Sequence, residues 1–149
     1  MVLDYLGIEI YYDHDAAAIA YHPEKDYSDF DIDERKFEDK KVILLIRDPR
    51  DVVVSSYFHA VYRQYVFNGS ISDFIRSNKF GIKKIIDFQK KWVSSADIPQ
   101  DFICLKYEDF KKQPLDSFQR LLDFINEKKI SKQKIRKTLE LFSFKNMKK

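Results

Sequence analysis

Val42-Ile43-Leu44-Leu45-Ile46 is an unbroken apolar run that stops at the charge of Arg47, the pattern of a parallel strand buried on both faces at the centre of a sheet. Asp48-Pro49-Arg50-Asp51 follows at once. It offers an acceptor side chain at the N-cap, a proline at the first helical position where its missing N–H costs nothing, and a second carboxylate near the positive helix end. A helix is therefore predicted from Pro49 to about Phe67. Ser70 and Ser72 suit the cap of a short helix over 71–77, and Ile82, Ile85, Ile86, Phe88, Gln89 and Trp92 recur at helical spacing, predicting a further amphipathic helix that ends before Pro99. Phe102-Ile103-Cys104-Leu105 reads as a second buried strand, and helices are predicted at about 115–126 and 131–142. A strand, a helical excursion and a second apolar strand make a right-handed crossover the economical topology, hence an α/β fold with a parallel central sheet flanked by helices.

The N-terminal part is less regular. Gly7-Ile8-Glu9-Ile10-Tyr11-Tyr12 is rich in β-formers and predicts a first strand, with Asp13-His14-Asp15 as the loop at its end. From Pro23 to Lys40 the chain is acidic and aperiodic, expected as a surface excursion holding one helical turn. With 149 residues, 13 Phe and 9 Tyr there is material for one core, so a single domain over 1–149 is expected. Three Gly and four Pro leave no flexible linker. The apolar runs are too short to span a bilayer, and Asp4 interrupts the stretch where a signal peptide would start, so a soluble cytoplasmic protein without membrane contact is expected. One cysteine, Cys104, excludes an internal disulfide, and three scattered histidines give no metal-ligand spacing, so no metal is expected. Residues 1–40 are predominantly acidic and 111–149 predominantly basic. Because the C-terminal lysines sit among apolar residues at helical spacing, they read as a solvated helix face rather than a nucleic-acid footprint.

Chemistry is expected where strands end. In open parallel sheets ligands bind outside the carboxyl ends of the strands, and Arg47 occupies that place. A guanidinium meets a phosphate bidentately, and the N–H groups of a helix beginning at Pro49 favour an anion nearby. Ser55, two turns along, reaches the same phosphate if the ligand lies along the helix flank. The alternative is structural: Arg47 pairs with Asp48 or Asp51, and Ser55 faces a neighbouring helix.

The stretch from Arg47 through Ser55-Ser56-Tyr57-Phe58-His59 resembles the 3′-phosphate-binding strand-loop-helix of the sulfotransferase family, which uses 3′-phosphoadenosine-5′-phosphosulfate (PAPS). There an arginine at the strand end and a serine eight residues later bind the 3′-phosphate, as Arg47 and Ser55 are spaced here. Phe74 to Trp92 resembles the family's middle helices, Lys106-Tyr107-Glu108-Asp109-Phe110 its tyrosine-glutamate-aspartate strand end, and Ser143-Phe144-Lys145-Asn146-Met147 its adenine-contacting segment. The resemblance implies a partial P-loop-like sulfotransferase fold, with Tyr107, Ser143 and Phe144 on the adenosine side of the site. The structural alternative makes Tyr107 and Phe144 core aromatics and Ser143 a helix-end residue. His14 is similar to the family's strand-end histidine, which implies a general base for a hydroxyl or amine acceptor, against a simple loop histidine. His22 and His59 read as structural.

The family's lysine-serine-glycine-threonine phosphosulfate loop is absent from this sequence, as is its later arginine-lysine-glycine segment. Each missing preorganised donor costs on the order of 10²- to 10³-fold in rate, so the chain is expected to be a truncated member, a poor enzyme or none when alone. Two readings follow. One is a sulfotransferase-type domain that binds the 3′-phosphoadenosine part of PAPS, with an acceptor the sequence does not name. The other is a non-catalytic nucleotide-binding or assembly module, a degenerate or split relative that associates with itself or with a complementing chain.

Overall fold

The computed structural model describes residues 6–8, 34–127 and 129–141. They fall into two compact units divided between Cys104 and Leu105, with residues 6–8 belonging to the C-terminal one.

In the larger unit a 3₁₀ turn at Glu34–Phe37 leads into β1 (Lys41–Ile46), followed by α1 (Pro49–Tyr62), α2 (Ile71–Arg76), α3 (Ile82–Ser94) and β2 (Asp101–Lys106), whose last two residues are counted with the C-terminal unit. β1 and β2 pair in parallel as a two-stranded sheet flanked by helices, as the order of apolar segments predicts. Lys41 and Asp101, the first residues of the two strands, form an ion pair of 2.9 Å that sets the strand starts side by side. Along β1 alternate residues face one way, so Val42, Leu44 and Ile46 pack with Trp92, Phe88 and Phe102. The expectation of burial on both faces does not hold: Leu45, on the other face, is 58% exposed. An apolar run records what a strand tolerates on each side, whereas covering a face needs a partner element.

α1 ends at Tyr62, earlier than the apolar periodicity predicts. Arg63 and Gln64 N–H both bond the His59 carbonyl, Tyr65 takes a left-handed conformation at φ 55°, and Val66 N–H returns to the Ala60 carbonyl. That turn costs Tyr65 backbone strain and delivers Phe67 onto Phe74, ring centroids 5.0 Å apart at 86°. Phe80 stacks on Phe74 at 5.3 Å and Tyr57 meets its edge at 5.6 Å, so one fully buried ring ties α1, α2 and the entry to α3 together. α2 opens on a reciprocal capping box in which Ser70 and Asp73 each bond the other's backbone N–H. α1 packs on both α2 and α3.

Gly81 precedes α3 for a steric reason. A Cβ there would meet the backbone carbonyl oxygens of Ser77 and Ile75 well inside van der Waals contact, and the Gly81 N–H bonds the Ser77 carbonyl at 2.7 Å.

The C-terminal unit holds α4 (Tyr107–Lys112), α5 (Pro114–Phe124) and α6 (Lys132–Leu141). α4 begins directly at the end of β2 and was not anticipated as a helix; Glu108 and Asp109 in its first turn favour it. α5 closes in a Schellman motif, with Asn126 left-handed at φ 60° and the Glu127 and Asn126 N–H groups on the Leu122 and Asp123 carbonyls. Phe118, Leu122 and Ile135 form its core, against which Leu6 and Ile8 pack. Leu6 and Gly7 lie in a turn, with Gly7 at φ 78°, so the expected strand does not include its first residue; residues 9–12 lie outside the described residues.

Gly81→Ala is expected to lower stability by roughly 1–3 kcal/mol, since backbone must give way to the methyl group, and Phe74→Ala by about 3–5 kcal/mol through the lost ring and the cavity left behind. Urea denaturation midpoints check both, and an unchanged midpoint for Gly81→Ala would contradict the described turn.

Candidate functional site

β1 ends at Ile46, and the chain has two residues, Arg47 and Asp48, in which to become a helix. Asp48 makes the change. Its Oδ1 accepts the Arg50 N–H at 2.9 Å as the N-cap of α1, its own carbonyl accepts from Val52 N–H at 3.0 Å, and its Oδ2 receives the Arg50 guanidinium at 2.6 Å. The Arg50 side chain first, and its backbone N–H second, hold the Asp48 carboxyl down at about 2, below the ordinary 3.8.

Arg47 turns the other way. Its Nη2 donates to Asp51 Oδ2 at 3.2 Å, with Asp51 59% exposed and the Arg47 side chain 36% exposed. The guanidinium therefore lies along the flank of α1, over its first turn. Ser55 is exposed one turn beyond Asp51 on the same face. Positions 47, 51 and 55 thus share one accessible side of the strand-helix junction, carrying a cation, a carboxylate and a hydroxyl. Of the two structural alternatives, the Arg47–Asp51 pair is present, whereas Ser55 is exposed.

The junction is held from behind. Gln89, half-buried on α3, donates its Nε2 to the Arg47 carbonyl at 3.0 Å. This tether was not foreseen, although its signal was visible: a glutamine in register with Ile85 and Trp92 on the apolar side of an amphipathic helix.

Tyr107 is half-buried at the start of α4 in the C-terminal unit, with the Lys111 ammonium 5.1 Å from its ring centroid. His59, half-buried on α1, contacts Gln64 at 3.3 Å between Nε2 atoms. His14, Ser143 and Phe144 lie outside the described residues. Among the described residues no group of three or more His, Cys, Asp or Glu is gathered as for a metal ion, and no helix is long and apolar enough to cross a membrane.

Fold and junction define an α/β protein whose strand-to-helix turn exposes cationic and hydroxyl side chains on one flank. The sulfotransferase domain profile matches residues 33–149, and the chain belongs to the sulfotransferase family. It is similar to sulfotransferase 2A2 of Rattus norvegicus, 31% identical over 108 residues that cover 70% of this chain and 37% of that protein. It is also similar to luciferin sulfotransferase of Photinus pyralis, 32% identical over 114 residues, 72% of this chain and 29% of that one. Flavonol 3-sulfotransferase of Flaveria bidentis is 33% identical over 97 residues, 57% of this chain and 29% of that one. The chain thus spans 29–37% of the length of these three relatives. No solved structure matches it.

Because the Asp48 carboxyl titrates at about 2 when folded, against an ordinary 3.8, its ionised form stabilises the fold above about pH 4, and that contribution is lost as the pH falls from there through about 2. Asp48→Asn keeps a capping acceptor and has no charge to lose. Its melting temperature is expected to fall less steeply than that of the wild type across this acid window; parallel slopes in thermal melts would assign the acid sensitivity to other carboxylates.

Proposed function

We propose that this chain binds the 3′-phosphoadenosine part of PAPS through Arg47 and Ser55, as the nucleotide-binding portion of an enzyme that moves a sulfuryl group to a hydroxyl or amine acceptor. The observation that carries the reading is the alignment of Arg47, Asp51 and Ser55 along one exposed flank where β1 meets α1. A phosphate on that flank meets a guanidinium at one end and a hydroxyl at the other, near the N–H groups of the first helical turn. The Arg47–Asp51 pair is surface-exposed and therefore weak, so a doubly charged phosphate displaces the carboxylate at small cost.

Bound PAPS supplies the sulfuryl group; the chain's own residues bind and orient it. Tyr107, Ser143 and Phe144 belong to the adenosine side in this proposal, and His14 is the proposed base that takes the acceptor's proton. The phosphosulfate loop is not in this sequence, so the chain alone is proposed to bind nucleotide and to turn over slowly or not at all. Cytoplasmic residence is part of the same proposal, tested by fractionation of a tagged chain.

A second reading, a non-catalytic nucleotide-binding or assembly module, is favoured by Leu45, a large apolar side chain exposed on an otherwise apolar strand. It expects self-association, or association with a complementing chain, that Leu45→Lys abolishes in sedimentation velocity.

Titration calorimetry with adenosine 3′,5′-bisphosphate tests the first reading. Arg47→Ala is expected to weaken binding by about 10- to 100-fold, the worth of a hydrogen bond to a charged group, Ser55→Ala by several-fold, and Asp51→Asn to tighten it by removing the competing carboxylate. Full affinity in Arg47→Ala would remove the assignment.

A further inference from the structure

We infer that Gln89 is a positioning residue for the phosphate site, acting through the backbone of Arg47; the inference rests on the phosphate reading above. The Arg47 carbonyl sits where neither regular element includes it. β1 ends at Ile46, and the first carbonyl taken up by α1 is that of Asp48, which accepts from Val52. A carbonyl at such a junction is satisfied by a side chain or by water, and each choice orients the peptide differently. Here Gln89 Nε2 donates to it at 3.0 Å from a residue 42 positions away.

The donor is itself held on two sides. One turn before Gln89, Ile85 packs into the cluster around Val53 and Phe74. Phe88 beside it and Trp92 one turn after pack with Leu44 of β1. α3 is therefore anchored to the core of the strand and to the core of α1 at once, and Gln89 lies between the two anchors. Its backbone cannot shift along or around the helix without disturbing one of them, and from that fixed place the side chain reaches the Arg47 carbonyl. A glutamine at this place gives up burial of an apolar side chain on the inner helix face, and what it gains is a fixed Arg47 peptide plane.

The consequence concerns direction more than affinity in general. With its carbonyl held from the α3 side, the Arg47 backbone fixes where the side chain departs, and the guanidinium lies along the α1 flank towards Asp51 and Ser55. Without the tether the peptide exchanges its partner for water and can rotate, and the guanidinium samples directions away from Ser55. Loss of Gln89 then weakens recognition of the 3′-phosphate and leaves the rest of the nucleotide contact alone. A merely structural glutamine would weaken all nucleotide binding together.

The experiment is calorimetric titration of the full chain and of Gln89→Leu, Arg47→Ala and the double variant with two probes, adenosine 3′,5′-bisphosphate and adenosine 5′-monophosphate, which lacks the 3′-phosphate. Gln89→Leu is expected to weaken the bisphosphate about tenfold, as for one lost hydrogen bond at its upper range, to leave the monophosphate within twofold, and to add nothing in the Arg47→Ala background. Equal weakening of both probes, or an unchanged bisphosphate affinity beside a damaged Arg47→Ala, overturns the role of Gln89 alone. Full bisphosphate affinity in Arg47→Ala, or no binding by the wild type, overturns the phosphate reading and the inference with it. Gln89→Met, which keeps the length of the side chain and lacks the donor, replaces the leucine variant if that one does not fold, and the same outcomes apply.

Discussion

Between Ile46 and Pro49 the chain leaves a strand and enters a helix, and backbone groups that belong to neither element must find partners within two residues. Asp48 serves the helix side as N-cap, and Gln89 serves the strand side by donating to the Arg47 carbonyl. With both partners in place the backbone on each side of the junction is satisfied, and the Arg47 guanidinium pairs with Asp51 at 3.2 Å. Asp51 and Ser55, four residues apart on α1, present their side chains on that same flank. The rest of the larger unit can be understood as what holds Asp48 and Gln89 where they act.

Two apolar clusters do this. One joins β1 to α3 through Leu44 and Trp92, with Phe37 meeting the indole edge at 5.2 Å. The other gathers Val53, Ala60 and Phe74 around α1 and α2. α3 contributes to both, which makes it the element that connects strand and helix cores. Its start is fixed in turn by Gly81, where no side chain fits between the Ser77 and Ile75 carbonyls. Buried aromatic rings and a close backbone approach thus set the position of one amide nitrogen.

Membership in the sulfotransferase family rests on a match over residues 33–149, while the chain spans about a third of the length of the relatives named above. The matched part contains the strand-helix junction and the helices behind it. Binding residues and donors to a transferring group are separable pieces of such an enzyme, since the first fix the nucleotide and the second act on charge that develops in the reaction.

The elements from β1 to α3 were legible from sequence because each carries its own punctuation: an apolar run ended by Arg47, an Asp-Pro start, a serine cap, a glycine before an amphipathic repeat. The common flank of Asp51 and Ser55 was legible as four-residue spacing on one helix, with Arg47 at the strand end before it. The early end of α1 was not, since the apolar periodicity runs on through Val66 and Phe67, and only the pull of Phe67 into the Phe74 cluster explains a tyrosine in a left-handed turn. Nor was α4, where strand and helix propensities meet without a break. The exposure of Leu45 was beyond the sequence altogether, and of Gln89 the sequence showed only a polar residue on an apolar helix face, not the carbonyl it reaches. Local pattern states which residues tolerate burial and where helices start, but which face is covered, and which distant donor finds a carbonyl, depends on contacts between segments some 40 residues apart that only packing brings together.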